Sequence, residues 1–116
     1  MPTANELRTR QSQASVNALS VAEVADYLTA LPDWAVSNGK LTRSFSFSDY
    51  YHTLAFVNAV AYVAHAEDHH PELLVGYNRC EVRFDTHSVN HGAGGLSAND
   101  FICAAKLDAL ARQAPG

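Results

Sequence analysis

The 116-residue chain carries a formal net charge of −4, is 47% hydrophobic and contains two cysteines. That length holds one domain with a modest core, and the acidic balance, with no dense Lys/Arg stripe, argues against direct nucleic-acid binding. Cys80 and Cys103 stand apart with no CxxC spacing, the polar N-terminus lacks a signal-peptide core, and no apolar run reaches the roughly eighteen residues of a membrane span, so a cytoplasmic protein with free thiols is expected.

Residues 1–19, with Thr3, Asn5, Thr9, Gln11, Ser12 and Gln13, show little periodicity and read as a mobile lead-in to a single domain over residues 20–116. Ser20-Val21-Ala22-Glu23 has the form of a capping box, and Val21, Val24, Ala25, Leu28 and Leu31 repeat at helical spacing until Pro32 ends the segment. Asn38-Gly39 between Trp34-Ala35-Val36 and Leu41 to Phe47 predicts a tight hairpin, because both residues tolerate positive φ. Leu41, Arg43, Phe45 and Phe47 share one face of that ribbon, while Thr42, Ser44 and Ser46 give the other a wet face.

Ser48 and Asp49 offer the next N-cap. Leu54, Val57, Ala61 and Ala64 mark an apolar stripe on a long helix reaching about Ala66, widened by Phe56, Val60 and Val63. Pro71 forces the exit. Leu73-Leu74-Val75, the turn Gly76-Tyr77-Asn78, and Cys80 to Phe84 predict a second hairpin with Cys80, Val82 and Phe84 on one face. A glycine-rich loop, residues 88–95, precedes a last helix capped at Ser97, with Phe101, Ala104, Ala105 and Leu107 on its apolar side. The order α-β-β-α-β-β-α implies an α+β domain: a four-stranded antiparallel sheet with helices packed on one face.

Four of the six histidines fall between His65 and His87. Imidazole titrates nearest neutral pH of all side chains, so converging histidines can both give and take protons. His69 and His70 close the long helix, whose C-terminus favours cations, and His87 follows the last strand, so bringing a helix end beside a strand end assembles a site. His65 and His69 stand at i, i+4 as in zinc-binding helices, but Glu67 breaks the His-Glu-x-x-His order, and neither metal nor cofactor is expected. His52 and His91 read as cap or surface residues, and Asp100 first as a helix cap.

The spaced set His65-x3-His69-His70-Pro71-x5-Tyr77-x9-His87-x12-Asp100 resembles the signature of pterin-4a-carbinolamine dehydratases. Pro32-Asp33-Trp34, Phe45-Ser46-Phe47 with Asp49, Tyr77-Asn78, Thr86-His87 and Gly94-Gly95-Leu96-Ser97 also fall in the family's order, from about Ser20 to Leu110. The resemblance implies elimination of water from a 4a-hydroxytetrahydropterin to give the quinonoid dihydropterin, recycling the cofactor of an aromatic amino acid hydroxylase. It implies that His69 and His87 are the acid/base pair and His70 a substrate-orienting residue. Substrate contacts are implied for Asp68, His69, His70, Asp85, Thr86, His87 and Ser88, with Trp34 near the cleft and Asp100 and His65 as lesser candidates. His65 departs from the family, which often has an acidic residue there, and the loop 88–95 is longer than the family's turn. The resemblance further implies a homodimer or homotetramer. The competing expectation is a non-catalytic protein-binding or assembly factor of the same fold, like a dimerisation cofactor of a transcription factor.

Overall fold

The computed structural model describes residues 2–113. Two helices open the chain, α1 (Ala4–Thr9) and α2 (Val21–Ala30), followed by the hairpin β1 (Ala35–Ser37) and β2 (Lys40–Ser46). Helix α3 (Tyr50–Glu67), the hairpin β3 (Glu72–Val75) and β4 (Arg79–Phe84), and helix α4 (Ala98–Gln113) complete it. The four strands form one antiparallel sheet in the order β1-β2-β4-β3. Both hairpins and the α+β layering are those the sequence predicts.

The core forms where the alternating apolar positions of β2 and β4 meet α3 and α4. Leu41, Phe45, Cys80, Val82 and Phe84 are buried on one sheet face against Phe56 and Val60 of α3 and Phe101, Ala105 and Leu107 of α4. Phe45 and Phe56 rings lie 4.6 Å apart between centroids, a contact that adds geometric preference to area burial. On the opposite face Ser44 and Ser46 are exposed, as alternation requires. Arg43, on the core face at its rim, lies 4.2 Å over the Phe45 ring and donates from Nη1 to Asp108 at 2.6 Å. Burial pushes the Asp108 carboxyl up, opposed by that guanidinium and by Trp34 Nε1, which donates at 2.8 Å.

Three expectations are corrected. Ala4–Thr9, read as part of a lead-in without periodicity, is a helix with its own capping box between Thr3 and Glu6; Leu7 is fully buried, and the helix packs on α4. In α3 Phe56 and Val60, expected only to widen the apolar stripe, form its buried centre with Thr53, while Leu54, Val57 and Ala64 are half-buried and Ala61 is exposed. The helix is apolar on more than one side, so periodicity alone could not choose the face that meets the sheet. Val21 of α2 is exposed, while Val24, Leu28 and Leu31 meet the core as the spacing predicts, joined by Tyr27, whose ring meets Phe101 edge-on at 5.1 Å.

Cys80 and Cys103 are both free and buried. Burial pushes the Cys80 thiol up, and Cys103 up to about 12. No helix among the described residues is long and apolar enough to cross a membrane.

Candidate active site

The site is built where the end of α3 turns into β3. Asp68 adopts the left-handed conformation at φ 51°, ψ 43°, which aspartate tolerates better than most non-glycine residues. Its amide donates to His65 O, and the His69 amide reaches back to Ala64 O at 3.1 Å, closing the helix end. The chain thereby leaves the helix at His69 and His70 and enters β3 through Pro71. Antiparallel pairing of Glu72 with Arg83 then sets the start of β3 beside the end of β4, where Asp85, Thr86 and His87 follow. Those residues are pinned by a bridge between Thr86 and Gly95, with Thr86 N donating to Gly95 O at 2.8 Å.

Asp68, His69, His70, Asp85, Thr86, His87 and Ser88 line one cavity of about 200 Å³. It is smaller than the roughly 300–1,000 Å³ clefts of drug-sized ligands, a size suited to one flat ring system. A larger groove of about 460 Å³ runs along α2 between Leu19, Val24, Leu28, Val36 and Leu96, but no titratable side chain lines it. Three histidines line the smaller cavity.

Its histidines differ in environment. His69 is 11% exposed, stacks on Phe84 at 5.8 Å with ring planes 7° apart, and donates from Nε2 to Asp100 Oδ1 at 2.6 Å. His87 is 74% exposed and its Nε2 lies 3.2 Å from Asp85 Oδ1. The rings of His70 and His87 stand nearly perpendicular, 6.2 Å apart. In both acid–imidazole pairs the carboxylate engages Nε2, leaving Nδ1 as the nitrogen able to exchange a proton with a ligand.

Asp100 is fully buried. Its Oδ2 accepts from Thr86 Oγ1 at 2.8 Å and from the Ser97 amide at 2.9 Å, while Oδ1 takes the His69 bond. The capping role read from the sequence is present in the Ser97 bond, but the same carboxylate also fixes the ring plane and tautomer of His69. Sequence periodicity could not find that pairing, because it joins residues 31 positions apart. It also supplies a carboxylate to His69 from α4.

Other expected residues fall elsewhere. His65 is exposed on the last turn of α3 and does not line the cavity. Trp34 lies in the core, one ring removed: it meets Phe84 at 6.0 Å, and Phe84 in turn carries His69. Thr86 lines the cavity but directs its hydroxyl to Asp100. The loop after His87 is sharply bent, with Asn90, His91, Gly92 and Gly94 all at positive φ. His91 lies outside the cavity lining. Glu67 turns away from His69 and accepts from the Ser12 amide at 2.8 Å.

The sequence profile of the family described as Pterin 4 alpha carbinolamine dehydratase matches residues 17–110. A protein of Bdellovibrio bacteriovorus provisionally named a pterin-4-alpha-carbinolamine dehydratase is 55% identical over 96% of this chain and 92% of its own length. One from Nitrosospira multiformis with the same provisional name is 46% identical over 93% and 95%. The crystal structure of a transcriptional coactivator/pterin dehydratase from Brucella melitensis superposes with a TM-score of 0.74 at 36% identity, covering 82% of this chain and 99% of that one.

Proposed function

This chain belongs to the pterin 4 alpha carbinolamine dehydratase family, and on that premise we propose that it dehydrates 4a-hydroxytetrahydropterins by histidine acid/base catalysis. The observation that carries the reading is that His69, held from behind by the buried Asp100, lines one cavity with the exposed His87–Asp85 pair. In the reaction the bond from C4a to its hydroxyl breaks as that oxygen takes a proton and leaves as water. The neighbouring ring nitrogen gives up its proton, and the electron pair left there closes the new double bond to C4a. One proton is given and one is taken, so two imidazoles suffice, and neither metal nor redox cofactor is required. His69 and His87 act as that pair, and His70 orients the ring, with Asp68, Asp85, Thr86 and Ser88 completing the cavity. The product re-enters the cofactor cycle of an aromatic amino acid hydroxylase in the cytoplasm, where buried free thiols are at home.

Stopped-flow absorbance of chemically generated 4a-hydroxytetrahydropterin, with a chelator present throughout, is expected to show faster decay with the protein than without. No acceleration would favour the other reading, a protein-binding factor of the same fold, which the name of the Brucella melitensis structure also suggests.

The assembly proposed with this function is a homodimer or homotetramer. β3 is an edge strand whose Leu74 is 60% exposed, and the outer side of α3 exposes Tyr51 and Tyr62, the latter by 75%. An unpaired apolar edge is a template for a symmetric partner strand. Light scattering at micromolar concentration should report a multiple of the 12.6 kDa chain mass, and a monomer alone would refute the assembly.

A further inference from the structure

We propose that the N-terminal strap, residues 8–13, is a positioning element of the active site, holding the His69–Asp100 pair in register from behind. The pair joins two elements, the end of α3 and the first turn of α4, and nothing in a single hydrogen bond keeps two helix ends at a fixed separation. The strap crosses both. Ser12 donates from its amide and its hydroxyl to Glu67 Oε1, at 2.8 and 3.3 Å, and Glu67 is the last residue of α3, two before His69. The next residue, Gln13, forms a reciprocal pair with Asn99. Its amide donates to Asn99 Oδ1 at 2.9 Å, and Asn99 Nδ2 donates to Gln13 O at 2.8 Å. Asn99 immediately precedes Asp100.

Two adjacent strap residues thus hold Glu67, two positions before His69, and Asn99, next to Asp100. Lys106 closes the arrangement, donating to Arg8 O at 2.9 Å and standing 3.7 Å from Glu67 Oε2. The buried Leu7 anchors α1 on α4, so the strap is held at its near end as well. The family profile begins at residue 17, so the strap lies outside the matched region while its partners Glu67, Asn99 and Lys106 lie inside it.

Neither Glu67 nor Asn99 lines the cavity; both are positioning residues. Misplacing a catalytic group by about 1 Å can cost up to about 100-fold in rate, and loosening a clamp on an intact hydrogen bond should cost part of that, about tenfold in kcat, with KM little changed. The expectation rests on the dehydratase reading for its kinetic arm only. The structural arm is the imidazole N–H proton of His69, observed by NMR in the full-length protein labelled with ¹⁵N-histidine and free of substrate. A proton shared with a buried carboxylate resonates far downfield and exchanges slowly.

In Asn99→Ala that resonance should move upfield and exchange faster while the remaining amide spectrum stays folded. Glu67→Ala should do the same, and Glu67→Gln, which keeps the acceptor for Ser12, should restore the signal. An unchanged His69 resonance in a folded Asn99→Ala or Glu67→Ala protein overturns the proposal, as does a Glu67→Gln protein that behaves like Glu67→Ala. Should Asn99→Ala not fold, the Glu67 pair decides. Because the resonance is read without turnover, a wild-type protein that fails the dehydration assay refutes the dehydratase reading and leaves this test standing.

Discussion

Replacing His69 or His87 with alanine should each lower the single-turnover dehydration rate at saturating substrate by about two orders of magnitude, the usual scale of a positioned acid or base. The two variants should then part company in stability. His87 is largely exposed and its partner Asp85 can turn to water, so His87→Ala should melt like the parent. His69→Ala removes the donor to Asp100 Oδ1, an oxygen buried on a fully enclosed carboxylate, and an orphaned buried acceptor costs about 1–3 kcal/mol. His70→Ala, by contrast, should chiefly raise the substrate dissociation constant. Near-normal rates in both the His69 and His87 variants would remove the mechanism.

Asp100 should be the most sensitive position outside the cavity lining. Asp100→Asn is nearly isosteric and keeps an oxygen for the Ser97 amide and the Thr86 hydroxyl. It presents an N–H to His69 Nε2, which turns that nitrogen from donor to acceptor and moves the ring proton to Nδ1. A neutral His69 held in that tautomer cannot accept a proton from the substrate through Nδ1. The expected result is a fall in kcat of about 100-fold with little change in KM, on the scale of a lost general base. Asp100→Ala should instead destabilise the fold, by roughly 3 kcal/mol, since three buried donors lose their acceptor. A kcat within twofold of the parent in a well-folded Asp100→Asn protein would show that the carboxylate is a helix cap and nothing more.

What could be read in advance was local. The capping box at Ser20 and Glu23, the Asn38-Gly39 hairpin and the alternation of Cys80, Val82 and Phe84 each declare themselves within a few residues, and the structure has each of them. The seven residues of the cavity were legible as well, because they fall in two short segments of one recognisable signature. Contacts between distant segments were not. Nothing within the α4 sequence distinguishes an aspartate that only caps from one that also holds the histidine just past the end of α3. The choice among the apolar faces of α3 depends on where the sheet lies. Helix α1 is a different case: Thr3-Ala4-Asn5-Glu6 has the same capping-box pattern as Ser20 to Glu23, and the signal was present but outweighed by polar composition.

The sealed thiols carry a practical consequence. Peroxides and alkylating reagents attack the thiolate, and a sulfhydryl kept protonated by enclosure, as Cys103 is, offers them almost none. Cys103 also touches Ser12, its Sγ 4.0 Å from the serine hydroxyl, so the sulfur is shielded by the N-terminal residues themselves. The native fold therefore keeps Cys103 from such reagents, and iodoacetamide that does label it marks molecules in which its surroundings have opened.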